Sequence, residues 1–409
     1  MESTKDLSRR SFLMTAGAIG AGSLACASGA LAQAPAAPSP DAQKPEKPST
    51  PRRPFGKTGV EVSCLALGGM FDVPSNQLLL RQALNYGVNY WDTAAVYEGG
   101  KSESGIGQFL AKNPDARKDV FLVTKCYERG PEAMTKFLDQ SLEKLRTDHV
   151  DLYFIHAVSS LSEVDKDAKA WAEKAKSQGK IKFFGFSTHK NMETLLSGAA
   201  KLGWIDGIMM TYNYRIMGTD QMKAAVDDCV KAGIGLTAMK TQGGGSVRVD
   251  SETELEMAGK FMQQGFTEQQ AKLRAVWTNP NIASICSQMP NMSILMSNIA
   301  ASLQQTKLSG ENLNLLNRYA RDTSHGYCAG CADRCESTLA DHAPIGDVMR
   351  YLMYYHSYGE RDLARSHFAE IRPEIRGRLA SMDFSQAERA CPQKLRIGEL
   401  MREATRLLA

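Results

Sequence analysis

From Val60 onward, short apolar runs alternate with longer amphipathic stretches. The runs are SCLALGG, VNYWDT, VFLVTKC, VDLYFIH, IKFFGFS, IDGIMMTYN, GIGLTAMK and IASICS. Most are rich in Val, Ile, Leu or Phe without clean alternation, as expected of strands buried on both faces. Between them, SNQLLLRQALNYG and GPEAMTKFLDQSLEKLR place apolar residues three or four apart, the spacing of an amphipathic helix. Several such stretches end in Gly before the next strand, as at Gly87 and Gly233. Eight β–α units in series over roughly 250 residues predict an α/β fold, a (β/α)8 TIM barrel spanning 52–307. An open doubly wound sheet would favour G-x-G-x-x-G after the first strand, and LALGGM lacks it. Further on, IGDVMRYLMYYHSYGERDLAR and LRIGELMREA read as helices, so 308–409 is expected to be a small α-helical, cysteine-containing C-terminal domain.

A barrel gathers functional groups at the C-terminal ends of its strands. The second barrel strand ends in Asp92, with Tyr97 in the loop after it; the third ends in Lys125 and the fourth in His156. A Lys or a His at a strand end is ordinarily a solvated edge or a satisfied core group. Four polar groups on three consecutive units should instead meet at one mouth. A Tyr hydroxyl, with a reference pKa of about 10, is a poor acid at neutral pH. A Lys cation beside it is expected to lower that pKa, with a carboxylate holding the Lys in place. His156 could then donate to a carbonyl oxygen, and the set would deliver a proton as hydride reaches carbon.

Charge and composition narrow the field only slightly. The 409-residue chain carries a formal net charge of +4 and has no basic stripe interleaved with aromatics, which argues against nucleic acid. Residues 1–32 have a charged start, a moderately apolar stretch and a small-residue exit at Ala30-Leu31-Ala32. Within them SRRSFL, Ser8 to Leu13, resembles a twin-arginine (Tat) export signal. A general secretory signal or a retained anchor would look similar. Export through the twin-arginine route implies a periplasmic protein carried already folded, with no stable membrane span once the signal is cleaved. Residues 33–51 are Pro- and Ala-rich without periodicity and read as a linker.

The barrel motifs resemble those of the aldo-keto reductase family. RPFGKTGVEVSCLALGGM is similar to its opening hairpin and first strand. NYWDTAAVYEGGKSESGIG, LVTK and DLYFIH are similar to the segments carrying its Asp, Tyr, Lys and His. The resemblance implies that Tyr97 is the general acid/base, that Lys125 and Asp92 tune it, and that His156 orients the carbonyl. It also implies a nicotinamide cofactor, NAD or NADP, across the mouth. Ser187 stands where the family bonds the carboxamide, Thr188 where it has Asn, and Met209 where Gln is common. Lys240 with Gly243, Gly244 and Gly245 suits a pyrophosphate, and Asn298 aligns with the adenine-side Asn. The cation used on a 2′-phosphate is absent, its neighbourhood being Met292, Ser293 and Ile294.

YCAGCADRC, Tyr327 to Cys335, raises a separate question. Cys328, Cys331 and Cys335 form C-x2-C-x3-C, and Cys391 follows before Pro392. A C-P step after a cysteine run is a feature of bacterial ferredoxin motifs, in which that Cys serves the other motif's cluster. The tail resembles the ferredoxin-like extension of some exported aldo-keto reductases, and by that resemblance the four thiolates would hold one iron–sulfur (4Fe–4S) cluster. Zinc uses the same ligands, and disulfides suit an oxidising compartment, so both alternatives stay open. The single cysteines Cys64, Cys126, Cys229 and Cys286 read as small buried hydrophobes.

The sequence therefore points to an exported oxidoreductase acting on a small carbonyl or alcohol, with an external electron-transfer partner if a cluster is present. The competing reading is a non-catalytic barrel used for binding or assembly, with a structural tail.

Overall fold

The computed structural model describes residues 48–304 and 307–409; the export signal and most of the linker lie outside them. A short antiparallel hairpin, β1 (Arg52–Pro54) and β2 (Glu61–Ser63), precedes the barrel. The eight apolar runs become β3 (Leu65–Gly68), β4 (Tyr90–Asp92), β5 (Phe121–Cys126), β6 (Val150–Ile155), β7 (Ile181–Thr188), β8 (Gly207–Thr211), β9 (Gly235–Met239) and β10 (Ile282–Gln288). They close into a parallel barrel in the order β10-β3-β4-β5-β6-β7-β8-β9. Every apolar run of the sequence is thus a barrel strand, and their unbroken hydrophobicity has a cause. One face fills the barrel and the other packs on helices.

Inside, Phe55, Tyr90, Phe121, Phe154, Met209 and Met239 belong to one core cluster. Phe55 closes the bottom and can do so only because Gly207 and Gly235 face it: a Cβ on Gly235 would come within 2.5 Å of its ring. Outside, Trp91 points the other way from Tyr90 and meets Phe109 of the helix Lys101–Lys112, ring centroids 5.4 Å apart.

Register sets the mouth. Asp92 pairs with Val123, and Lys125 lies two residues further along β5, on the same face as Val123. Both side chains therefore point inward at the strand ends.

The helix Gly310–Asp322 packs Leu315, Leu316 and Tyr319 against Phe261, Ala271 and Ala275 of the barrel's own helical layer. By packing it belongs with the barrel, although the sequence pattern groups it with the tail. The tail has its own core, running from Ala343 to Leu408. The expected single helix over 345–365 is two: Ile345–Met353 runs into a π turn at Tyr354–Tyr358, Gly359 ends it at φ 74°, and Arg361–Ala369 follows. A left-handed Gly is an ordinary helix terminator.

The tail seats on the barrel mouth through polar contacts. Lys190 pairs with Asp347 at 2.8 Å, Asn191 Nδ2 donates to Asp333 at 2.8 Å, and Asn213 Nδ2 donates to the Tyr327 hydroxyl at 3.0 Å. Among the described residues no helix is long and apolar enough to cross a membrane.

Candidate active site

Lys125 is the hub. Its Nζ donates to Asp92 Oδ2 at 2.7 Å, to the Thr93 carbonyl at 2.8 Å and to the Tyr97 hydroxyl at 3.3 Å. Asp92 and Lys125 are buried to within 2% of full exclusion from solvent. His156 meets the Tyr97 ring edge-on at 5.8 Å, and its Nδ1 is buried without a partner. The four residues expected to converge do so.

Electrostatics depart from the expectation in one respect. Burial pushes the Tyr97 phenol well above the ordinary tyrosine value, and the Asp92 charge adds to the rise. The sequence argument had the Lys cation lowering it. The reason is pairing: Asp92 offsets the ammonium charge at 2.7 Å while desolvation acts unopposed on the phenol. Burial likewise pushes His156 well below the ordinary imidazole range, with Lys125 and Arg350 acting in the same direction. At neutral pH the site therefore holds a protonated phenol, a neutral imidazole and one buried ion pair. Such a set can donate a proton and stabilise the phenolate left behind.

The residues expected to hold a dinucleotide divide into two groups. Lys240, Gly243 and Gly244 line one cavity at the ends of β8 and β9, and a cation with bare backbone suits a diphosphate there. Lys240 sits in the left-handed region at φ 57°, which costs about 1–2 kcal/mol. Asn213, donating to the Lys240 carbonyl at 3.1 Å, helps to hold it. The others are engaged elsewhere. The Ser187 hydroxyl accepts from Ala157 N at 3.0 Å, Thr188 donates to the Lys190 carbonyl at 2.7 Å, and Met209 is in the barrel core. Asn298 donates to the Ser287 hydroxyl at 3.0 Å.

With this geometry in view, comparison with known proteins is decisive. The profile of the aldo/keto reductase family matches residues 66–309. The chain belongs to the aldo/keto reductase family. Similar members include the aldo-keto reductase yakc (NADP(+)) of Schizosaccharomyces pombe, 33% identical over 157 residues, covering 34% of this chain and 46% of that one. L-galactose dehydrogenase of Arabidopsis thaliana is 31% identical over 151 residues, covering 33% and 47%. The chain spans about half the length of the curated relatives it matches. The fold is similar to that of the aldo-keto reductase AKR11C1 from Bacillus halodurans (holo form), with a TM-score of 0.55 at 21% identity, covering 66% of this chain and 96% of that one.

Family members share the barrel; the cysteine tail extends beyond the matched segment. Cys328, Cys331, Cys335 and Cys391 line a single cavity whose other walls include Ala329, Ile345, Met349 and Leu395. All four are free thiols. Burial pushes Cys335 up to about 12 and raises Cys328 and Cys331 as well, with the neighbouring thiols contributing. Among the described residues no group of three or more His, Cys, Asp or Glu side chains is placed to hold a single metal ion.

Four residues at the mouth stand outside the expected tetrad and cofactor set. Tyr127 stacks on His156, Cys286 Sγ lies 3.6 Å from Asp92 Oδ2, and Arg350 and Tyr354 come from the tail. Tyr127 directly follows the Lys125-Cys126 strand end, a signal available in the sequence. Nothing in the spacing places Arg350 or Tyr354 near a strand nearly two hundred residues earlier.

Proposed function

We propose that the chain is an exported, periplasmic oxidoreductase that moves a hydride to or from a small carbonyl or alcohol with NAD or NADP. Its tail would hold one 4Fe–4S cluster serving an electron-transfer partner. The observation that carries the first part is the Lys125 ammonium bonded at once to Asp92 and to the Tyr97 hydroxyl. Tyr97 gives its proton to the carbonyl oxygen, and Lys125 stabilises the phenolate as it forms. His156 orients that oxygen through its imidazole, which meets the Tyr97 ring edge-on. When bound, the dinucleotide supplies or accepts the hydride; Lys240, Gly243 and Gly244 would hold its diphosphate.

The cluster reading draws on the cavity. Four thiols lining one cavity supply the four-thiolate set that such a cluster takes. Cys328, Cys331, Cys335 and Cys391 would be its ligands, and it would supply one-electron transfer. A twin-arginine route fits a cofactor loaded before export.

A second reading, a barrel that binds without reacting, has one observation in its favour. The Lys240 ammonium lies 4.4 Å from the Tyr354 ring centroid, and a Cβ on Gly244 would come within 2.8 Å of the Tyr358 ring. Tail rings thus crowd the diphosphate cradle. Titration with NADH and NADPH followed by protein fluorescence separates the two readings. Quenching with turnover of an aldehyde supports the reductase, and no quenching by either nucleotide supports the binding module.

A further inference from the structure

Arg129 joins two strand exits that meet at the barrel mouth. β5 and β6 run side by side, and His156 N, just past the end of β6, donates at 2.8 Å to the carbonyl of Cys126, which ends β5. Beyond that bond a single guanidinium ties the two exits together. Arg129 Nη1 donates to the Tyr127 carbonyl, and Nη2 donates to the His156 carbonyl at 3.0 Å. These are the two residues whose rings stack. The guanidinium is itself held, because Glu163 Oε2 accepts from Nε at 2.9 Å and from Nη2 at 2.6 Å. Glu163 Oε1 accepts from Ser159 N, Ser159 Oγ and Ser160 N at 2.8–2.9 Å. One carboxylate therefore fixes both the guanidinium and the loop that follows His156.

An imidazole that orients a carbonyl oxygen must be fixed in direction as well as in place. The stacked Tyr127 ring can fix it only if Tyr127 is itself held, and Tyr127 lies on an exposed turn between β5 and the helix Pro131–Leu145. We propose that Arg129 is a positioning residue for carbonyl reduction: by binding the backbone of Tyr127 and of His156 at once, it sets the stacked pair and so the direction of the imidazole. Its effect on turnover rests on the reductase reading; its effect on the two rings does not. A guanidinium suits the task because its donors form a rigid planar fork that reaches two carbonyls and a carboxylate together. An ammonium carries the same charge without the fork. Arg129 follows β5, which lies across the eight-stranded ring from β9 and Lys240, so nucleotide binding should not feel its loss.

Nuclear magnetic resonance on the full chain with isotope-labelled histidine tests this at the rings themselves. A stacked Tyr127 shifts the His156 ring protons upfield; His156→Gln identifies the signal and Tyr127→Ala gives its unstacked position. Arg129→Ala is expected to move the signal most of the way to that position. It should also lower kcat for an aldehyde by on the order of ten- to hundredfold, with fluorescence quenching by NADH unchanged. Arg129→Lys should restore neither the signal nor kcat, which separates the fork from the charge. Glu163→Gln should move both in the same direction by less, and it keeps the test valid should Arg129→Ala fail to fold. If the His156 signal stays at its wild-type position in the folded variants, or if Arg129→Lys behaves as wild type, the positioning role is wrong. A wild type that shows the upfield signal yet reduces no aldehyde would overturn the reductase reading alone.

Discussion

The ring of Tyr127 lies flat against the imidazole of His156, centroids 4.1 Å apart and planes 17° from parallel. His156 is buried while Tyr127 is 38% exposed, so the tyrosine forms a lid between the imidazole and water. The contact fixes the plane of the ring that would hold the carbonyl oxygen. It also contributes to the desolvation that keeps that ring neutral.

Tyr127→Ala should therefore weaken catalysis without abolishing it. Aromatic pairs of this kind contribute about 0.5–1.5 kcal/mol, so kcat/KM for an aldehyde should fall roughly two- to twelvefold, while Tyr127→Phe stays close to wild type. Steady-state kinetics on both variants is the check. Equal damage from Phe and Ala would mean that the hydroxyl, and not the ring, matters.

Tyr97→Phe removes the proton donor but keeps the ring on which Lys125 rests at 4.7 Å. Loss of a positioned general acid typically costs about 10²–10⁴ in rate. Carbonyl reduction should fall by that factor while quenching by nucleotide persists. Turnover at the wild-type rate would take Tyr97 out of its assigned role.

Most of the barrel was legible because both faces of each strand are buried, so each strand is an uninterrupted apolar run between helical periods. The tetrad was legible for the same reason: a polar residue ending such a run stands out, as Asp92, Lys125 and His156 do. What the pattern could not carry was the third dimension of the tail. Arg350 sits in a helix period that only marks it as polar, and its contact with the mouth depends on how two distinct hydrophobic cores pack together. The direction of the Tyr97 shift was hidden for a related reason. It depends on how far burial outweighs a cation already paired with Asp92, and sequence gives neither the burial nor the pairing distance.

Stability should depend on pH through His156. Its folded-state affinity for a proton is depressed by burial, while the unfolded chain regains the ordinary value near 6.5. Below that pH the unfolded state binds a proton that the folded state refuses. The contribution is therefore present above about pH 6.5 and is lost as pH falls, by about 1.4 kcal/mol per pH unit. Urea midpoints measured between pH 7.5 and 5 should fall on acidification, and His156→Gln should flatten that slope. An unchanged slope in the variant would show that His156 titrates normally in the folded chain.

Cys391 gives the sharpest test of the tail. It comes more than fifty residues after Cys335, yet both line one cavity with Cys328 and Cys331. A four-thiolate site would therefore join the start of the tail to its last turn before the helix Ile397–Leu408. Wild-type protein purified without oxygen should contain near-stoichiometric iron and acid-labile sulfide and show a broad visible band. Cys391→Ser should lose most of all three and also melt earlier, because metal binding stabilises the state that assembles its ligands. Cys229→Ser, whose thiol is buried between barrel helices and contacts the Leu196 carbonyl, should retain the iron. Zinc in place of iron would make the tail a structural clip. Absence of any metal, with Cys391→Ser melting as the wild type does, would leave the four thiols as packing alone.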